Sequence, residues 1–197
     1  MSSEVEIRSL SQLDLNGSYT YADYLLWKFK ERVEIIRGKI MAMSPAPARI
    51  HQKISMKLTA KFIPIFHGHR CELYAAPFDV RFTDENGNIK NVVQPDLCVI
   101  CDKSKLDERG CLGAPDLVVE ILSPGNSKRE MKDKFELYQE QGVREYWLVD
   151  PANQTIFIYV LENGKYIGLP PVAEAEEVRS AIFPELAFST ANLYDLD

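Results

Sequence analysis

The chain has 197 residues, 46% of them hydrophobic, which is enough for one well-buried core and too short for two separate domains, so we expect a single domain over residues 1–197. Its formal net charge of −6 would repel a polyanion as a whole, so any contact with nucleic acid must be local. No stretch approaches the roughly 20 apolar residues of a membrane span, and MSSEVEIRSL lacks a signal-peptide pattern, so we expect a cytoplasmic protein without a membrane partner.

The first elements predicted are a short helix and a hairpin. Thr20 precedes apolar residues at helical spacing and is a suitable N-cap for a helix that ends near Arg32. Beyond it, segments 33–36 and 39–43 flank an Arg-Gly turn at 37–38. We therefore expect an N-terminal β-hairpin directly after the helix.

A second helix is predicted after the proline-containing segment 44–47, which cannot continue a strand. We expect Pro64 and Gly68 to end this helix. One face of it is apolar, at Ile50, Ile54, Leu58, Phe62 and Ile65.

A basic ribbon runs along the same helix, one position out of step with the apolar stripe. Regularly spaced cations can contact successive phosphates, so this ribbon is the nucleic-acid-binding surface that the sequence predicts. For any one of its residues, a solvated charged face is the alternative. The ribbon consists of Arg49, Lys53, Lys57 and Lys61, and Lys128, Arg129 and Lys132 would extend it.

The rest of the chain predicts a mixed α/β (α+β) fold. Ser127 and Glu130 form a capping-box signature for a third helix, which would run through Gln141 and stop at Gly142. The remaining segments alternate apolar and polar residues and predict strands at 72–82, 92–100, 116–122, 146–149, 155–160 and 165–169.

Two carboxylates interrupt segments that are otherwise apolar. Asp96 lies within 92–100, and Glu120 lies in the middle of 116–122. A desolvated carboxylate costs free energy unless a proton, a cation or a metal compensates it. If the two strands are neighbours, the carboxylates converge, and hard oxygen ligands of this kind favour Mg²⁺ or Mn²⁺. The alternative is that each carboxylate caps a loop or pairs with an arginine.

A lysine lies beside the inward stripe of the third helix. Lys134 is three residues after Met131 and four before Tyr138, and both of these belong to the stripe. Its flexible stem would carry an ammonium to the acidic cluster, where it would orient a water and offset phosphate charge. The alternative is ordinary extension of the side chain into solvent.

The segments 94–96 (QPD) and 118–124 (VVEILSP) resemble the PD-(D/E)XK nuclease superfamily, and in particular its restriction-endonuclease-like family often called Uma. The resemblance covers roughly residues 20–160. It implies a restriction-endonuclease-like core, in which helices flank a central mixed β-sheet. The N-terminal hairpin and the C-terminal strands would be additions to that core.

The same resemblance implies roles for individual residues. Metal-binding acids would be Asp96 and Glu120, with Glu34 as an accessory ligand. The sequence departs from the family pattern at the third motif position, because Leu122 stands two residues after Glu120 where a lysine is expected. Lys134 matches the helical position from which related proteins supply a migrated lysine.

His51 follows the proline-containing segment and resembles a histidine that is frequent in this family. It would contact a substrate phosphate or transfer a proton. A helix-capping or surface role is the alternative.

The function that we predict is hydrolysis of a nucleic-acid phosphodiester with Mg²⁺ or Mn²⁺, and the expected substrate is DNA. Two alternatives stay open: a non-catalytic domain that binds nucleic acid or a partner and retains the nuclease fold, and a metal-dependent phosphoesterase for a small substrate. Cleavage of both strands would be simplest in a two-fold homodimer, for which the tail after Leu161 would provide the contact.

The cysteines are too few and too unevenly spaced for a disulfide framework, so we expect reduced thiols. A zinc site would use Cys98, Cys101 and Cys111 with His67 or His69. It is disfavoured because positions 98 and 101 of one strand point to opposite faces. The fourth cysteine is Cys71.

Overall fold

The computed structural model describes residues 6–43, 48–124 and 128–196. Among the described residues, no helix combines the length and the apolar composition of a membrane span. The α-helices are α1 (Tyr21–Leu26), α2 (Arg49–Phe66) and α3 (Lys128–Gln141), with short 3-10 turns at Leu10–Gln12 and Lys103–Lys105. The strands are β1 (Val33–Ile36), β2 (Lys39–Ala42), β3 (Glu72–Ala75), β4 (Val80–Thr83), β5 (Ile89–Val93), β6 (Leu97–Ile100), β7 (Leu106–Asp107), β8 (Gly110–Leu112), β9 (Leu117–Ile121), β10 (Glu145–Asp150), β11 (Thr155–Glu162), β12 (Lys165–Gly168), β13 (Val172–Ala173), β14 (Glu177–Arg179) and β15 (Ala187–Ser189).

The strands form two main sheets. The first has the order β12-β11-β10-β9-β6-β3, with β13 added at β11; β9 and β10 run parallel and the other neighbours are antiparallel. The second sheet has the order β2-β1-β5-β4-β8-β7, and β14 pairs with β15 separately. The predicted mixed sheet with flanking helices is therefore confirmed.

Helices α2 and α3 pack against opposite faces of the first sheet. Successive residues of a strand point to opposite faces, so neighbouring residues of β9 and β10 contact different helices. On one side, α2 shares a buried cluster with Val119 and Trp147. On the other side, α3 shares a cluster with Val118 and Tyr146. Glu120 is two residues beyond Val118 and therefore lies on the α3 side.

Local signals set the start of α1 and the first hairpin. Thr20 and Asp23 form a capping box, as the N-cap prediction requires. Arg37 and Gly38 have φ of 50° and 75°, which is the backbone of a type I′ hairpin turn. The predicted extension of the helix to Arg32 is wrong, because the chain becomes extended at residue 27, with φ −72° and ψ 138°.

Two predicted strands are each divided between the sheets. Segment 72–82 contains β3 and β4, and segment 92–100 contains β5 and β6. Pro77 and Pro95 interrupt them, because a proline has no N–H to donate to a strand ladder. The interruption at Pro95 carries the chain from one sheet to the other immediately before Asp96.

The two long helices end close to the predicted positions. Pro64 lies inside α2 rather than at its end, because its missing N–H removes a single bond in the last turn. Gly68 has φ 74° just beyond α2, and Gly142 has φ 84° directly after α3. The predictions for 44–47 and for the Ser127 cap lie outside the described residues.

The C-terminal residues contribute to the core, although their sequence pattern is weak. Val178, Phe183 and Leu186 are buried in the same cluster as α2. Buried Glu145 anchors this segment by accepting hydrogen bonds from Ser180 Oγ at 2.9 Å and from the next two backbone N–H groups.

The expectation of four reduced thiols is wrong for one pair. Cys71 and Cys101 form a disulfide, because the β3–β6 register places them at opposing positions, one step beyond Glu72 and Ile100. Cys98 and Cys111 are free and buried. The zinc alternative fails as well, since within the described ranges no three His, Cys, Asp or Glu side chains are grouped to hold a metal ion.

A close backbone contact supports the segment that leads to Asp96. Cys111 N donates to the carbonyl of Asp79 at 2.9 Å, and the Asp79 carboxylate accepts from Gln94 Nε2 at 2.8 Å. Gly110 has φ 123°, and a Cβ placed there would collide with the Asp79 carbonyl. Only glycine allows this approach.

We expect Gly110→Ala to lower the free energy of unfolding by about 2 kcal/mol more than Gly87→Ala. Gly87 also has positive φ, of 78°, but no atom lies within 4 Å of an added Cβ, so this variant is the matched control. Urea denaturation of both variants measures the difference. Equal destabilisation would contradict the contact.

Candidate active site

Asp96 and Glu120 face each other where β6 and β9 run side by side. The register pairs Leu97 with Val119, so one position further on, Asp96 lies opposite Glu120. Both line a cavity of about 420 Å³. Other walls of this cavity come from α2, α3 and β10, including His51, Gln52, Ser55, Met131, Lys134 and Leu148.

The Asp96 carboxylate is tied to the neighbouring strand. Its Oδ2 accepts from the backbone N of Ile121 at 2.7 Å and lies 3.3 Å from Nε2 of His51. Its Oδ1 has no hydrogen-bond partner within the described ranges. One oxygen is therefore held by the protein while the other remains for a ligand.

The Glu120 carboxylate is more deeply buried, with 9% of the residue exposed. Its Oε1 accepts from Lys134 Nζ at 3.0 Å and from the Tyr138 hydroxyl at 2.6 Å. Burial raises the pKa of Glu120 to about 7; the ammonium of Lys134 opposes this shift, and the carboxylates of Glu34 and Asp96 add to it. Glu120 therefore takes up a proton far more readily than an exposed glutamate.

Lys134 is held between two carboxylates. Its Nζ lies 2.9 Å from Oε1 of Glu34 and 3.0 Å from Oε1 of Glu120. Burial by itself would lower the pKa of this ammonium, but the two carboxylates hold it above its ordinary value. Lys134 therefore stays charged although it is only 7% exposed. The alternative prediction, that the Lys134 side chain extends into solvent, is therefore wrong.

Glu34 serves the lysine rather than the cavity. It is 1% exposed, and its Oε1 also accepts from the backbone N of Gln94 at 2.8 Å. The predicted ligand set of three carboxylates is not assembled, since the described residues contain no metal-binding group of three such side chains. In place of a third ligand, the structure provides a counter-ion for Lys134.

The donors at this cavity fit a hard divalent cation with few protein ligands. Asp96 and Glu120 each present a carboxylate oxygen, Oδ1 and Oε2, without a hydrogen-bond partner in the described part of the chain. Mg²⁺ commonly binds one or two carboxylates and keeps several waters. The two-carboxylate arrangement therefore fits Mg²⁺ or Mn²⁺ better than a metal that needs a complete protein shell.

His51 lies on the wall of the cavity beside Asp96. Burial would lower its pKa, but the hydrogen bond and the charge of Asp96, with the charge of Glu120, raise it above the usual value. Its Nδ1 is buried and has no hydrogen-bond partner among the described residues. Native proteins rarely leave such an atom unsatisfied, so this nitrogen is a place for a ligand or water.

The basic ribbon of α2 does not reach the cavity. Among the described residues of α2, the cavity is lined by His51, Gln52 and Ser55, and none of the four cations lines it. Two of the cations are engaged elsewhere: Arg49 donates to the carbonyl of Leu196 at 3.0 Å, and Lys57 to that of Asp195 at 2.7 Å. Lys53 and Lys61 complete the ribbon on the same face.

The comparisons with known proteins agree with this geometry. A family profile named Uma2 and described as "Putative restriction endonuclease" matches residues 21–191. The chain belongs to the Uma2 family. The match includes every residue that lines the cavity, and it confirms the resemblance seen in the sequence. This places the chain in a family that is described as nuclease-like.

Two relatives are similar to this Uma2 chain over most of their length. An uncharacterised protein of Synechocystis sp. is 29% identical over 140 residues, which is 70% of this chain and 71% of that protein. A crystal structure described as a putative nuclease belonging to DUF820 from Anabaena variabilis has a TM-score of 0.70 at 24% identity. The superposed region covers 90% of this chain and 98% of the Anabaena chain, so the two share a fold.

The sequence pattern did not assign a role to every residue at the Uma2 cavity. The helical spacing places Tyr138 on the apolar stripe of α3, but its hydroxyl donates a hydrogen bond to Glu120. A signal was present, because a buried tyrosine hydroxyl needs a partner and Tyr138 follows Lys134 by one helical turn. The contacts of Glu34 and Gln94 join residues 60 apart in the chain, and no local pattern reports such a pairing.

We expect Lys134→Met to lower the free energy of unfolding of the metal-free protein by about 3–5 kcal/mol near pH 8, because it leaves two buried carboxylates without a cation. Lys132→Met is the control, since its side chain is 72% exposed; a change within about 0.5 kcal/mol is expected there. Denaturation in EDTA provides the measurement.

The same variant should lose less stability near pH 5. The pKa of Glu120 is about 7 even with the ammonium beside it, and removing the ammonium raises it further. The folded variant then binds more protons than the unfolded chain above about pH 4.5, so its stability falls as pH rises. A penalty that is equal at both pH values would show that the carboxylates do not interact with Lys134.

Proposed function

We propose that this chain is a metal-dependent endonuclease that hydrolyses phosphodiester bonds of DNA. The observation that carries the proposal is the position of Lys134 Nζ, 3.0 Å from Oε1 of Glu120. The strand position where the family pattern places a lysine is occupied by Leu122, and α3 supplies an ammonium to the same carboxylate instead. Membership of a nuclease family supports the class of reaction, and the cavity supports its location.

Asp96 and Glu120 would hold the divalent cation through their oxygens that accept no hydrogen bond. When bound, Mg²⁺ or Mn²⁺ would lower the pKa of a water and offset negative charge on the phosphate. Asp96 keeps its orientation through the 2.7 Å bond from Ile121 N, and Glu120 through Lys134 and Tyr138. These bonds orient both carboxylates before any ligand arrives.

Lys134 would contact the reacting groups with the one N–H that its two carboxylates leave available. An ammonium has three donors, and Glu34 and Glu120 take two of them. The third would orient the attacking water or stabilise charge that develops on a phosphate oxygen. Because Lys134 stays charged, it would serve as an electrostatic group rather than as a base.

His51 would hold a phosphate oxygen or a water through Nδ1, which has no partner in the part of the chain that the structure describes. Its other nitrogen, Nε2, lies 3.3 Å from Asp96, which fixes the orientation of the ring. A histidine oriented in this way can also transfer a proton to a leaving oxygen.

We expect Asp96→Asn and Glu120→Gln each to reduce nicking of supercoiled plasmid DNA by about 10²-fold or more, because each removes a charged oxygen ligand. Calorimetry should show weakened Mg²⁺ binding in both, and EDTA should abolish nicking by the native protein. Glu136→Gln is the matched control: it removes an equal charge from α3, where Glu136 pairs with Arg37 and Lys132 on the surface.

The two alternatives give different results in the same experiment. Metal binding without cleavage of DNA would favour a binding domain that retains the fold. Turnover of a chromogenic small phosphodiester, with plasmid DNA left intact, would favour a small-substrate phosphoesterase. Absence of Mg²⁺ and Mn²⁺ binding in the native protein would overturn the mechanism.

We expect Tyr138→Phe to weaken Mg²⁺ binding by about tenfold while it leaves the fold intact, because groups that orient a ligand typically contribute 10–100-fold to metal affinity. The hydroxyl lies 2.6 Å from Glu120 Oε1, and phenylalanine keeps the packing of the ring. Tyr159→Phe, on the same aromatic cluster, is the control. Equal affinity in both variants would contradict the positioning role of Tyr138.

A further inference from the structure

Aromatic and cationic residues alternate over 27–30 in the segment that joins α1 to β1, and Glu31 and Arg32 follow them. Trp27 and Phe29 are half-buried, whereas Lys28, Lys30 and Arg32 are exposed. We call these three exposed cations the cationic segment. Neither the family pattern nor the proposed function assigns it a role.

The aromatic residues hold this segment on the protein surface. The rings of Trp27 and Phe29 stack with centroids 5.4 Å apart, and Trp27 also contacts Tyr19 edge-on at 5.4 Å. The backbone N of Lys28 donates to the carbonyl of Ile7 at 2.8 Å. The segment is therefore anchored although it has no regular secondary structure.

The three cations have no carboxylate partner. Within the described ranges, none of Lys28, Lys30 and Arg32 has an acidic oxygen within 4 Å, the distance that defines an ion pair. By contrast, exposed Arg37 has two such partners and exposed Lys103 has one. Two acids lie nearby: exposed Glu31 stands between Lys30 and Arg32, and Glu6 is paired with Arg8. The three cations still outnumber Glu31, so in a chain with a net charge of −6 this segment keeps a local excess of positive charge, which suits a polyanion.

Arg32 brings this surface to the cavity. It lines the cavity together with Asp96 and Glu120, and its Nη2 donates to Gln94 Oε1 at 2.7 Å. Gln94 is itself oriented, because its Nε2 donates to Asp79 at 2.8 Å. Arg32 Nε donates to the same oxygen at 3.3 Å. A neutral amide therefore holds the guanidinium in place and leaves its charge and the N–H groups of Nη1 for a ligand.

We propose that the cationic segment binds the sugar–phosphate backbone of the DNA that enters the cavity, and that Arg32 contacts a phosphate beside the scissile bond while Gln94 positions Arg32. This inference rests on the proposed function for the identity of the polyanion. The ribbon of α2 is not this surface, since two of its four cations are bound to carbonyls of the C-terminal residues.

The test is fluorescence anisotropy of the full chain with a labelled 20-base-pair DNA duplex in EDTA, which separates binding from cleavage. We expect Arg32→Gln to weaken binding about tenfold and to reduce the slope of log affinity against log salt by about 0.9, the value for one phosphate contact. Lys165→Gln, an exposed cation on the edge strand β12, is the charge-matched control and should bind as the native protein does. Arg32→Lys should recover part of the affinity and most of the salt slope.

The outcomes distinguish this inference from the proposed function. Binding that depends on Arg32, without plasmid nicking in Mg²⁺, would support the cationic segment and refute the endonuclease. Nicking by the native protein, with unchanged affinity in Arg32→Gln, would overturn the cationic segment and leave the endonuclease in place. A loss in Lys61→Gln that exceeds the loss in Arg32→Gln would assign the DNA to the α2 ribbon. No binding of the duplex, or Arg32-dependent binding of an RNA duplex alone, would overturn the inference as well.

Discussion

The candidate site depends on one buried ammonium. Lys134 lies between Glu34 and Glu120 at 2.9 and 3.0 Å, and this contact joins β1 of one sheet, β9 of the other and α3. A buried charge is tolerated only when its partners are in place, so the three elements must pack together for any of these groups to be stable. The same packing forms the cavity wall beside Asp96. Stability and the geometry of the site therefore rest on the same few atoms.

Much of this arrangement follows from local sequence. Asp96, Glu120 and Lys134 are all polar residues at positions that the surrounding pattern marks as buried, and a polar residue in such a position needs a partner. The capping box of Thr20, the hairpin turn at Arg37 and the glycine after α3 follow equally from local backbone preferences. These features depend only on residues a few positions apart.

Other features depend on contacts between distant parts of the chain, and no periodicity reports them. Pro77 and Pro95 divide predicted strands between two sheets, so the alternating pattern on either side of each proline belongs to different layers. The α2 ribbon has the spacing of a phosphate-binding surface, but backbone carbonyls near residue 195 occupy part of it. Glu34 pairs with a lysine 100 residues away, which turns an expected metal ligand into a counter-ion.

Lys134 lies on a helix and not on a strand of the sheet. The site is therefore sensitive to substitutions that, in another part of the core, would only alter packing. When a carboxylate and a lysine share a strand, the rigid strand backbone sets their separation. Here that separation is set by how α3 rests on the sheet through Leu137, Tyr138 and Tyr146. A side chain that is one methylene larger or smaller at this interface would shift the helix and displace the ammonium from Glu120. Selection on the geometry of the site would then act on the volumes of buried residues such as Leu137, which does not itself line the cavity.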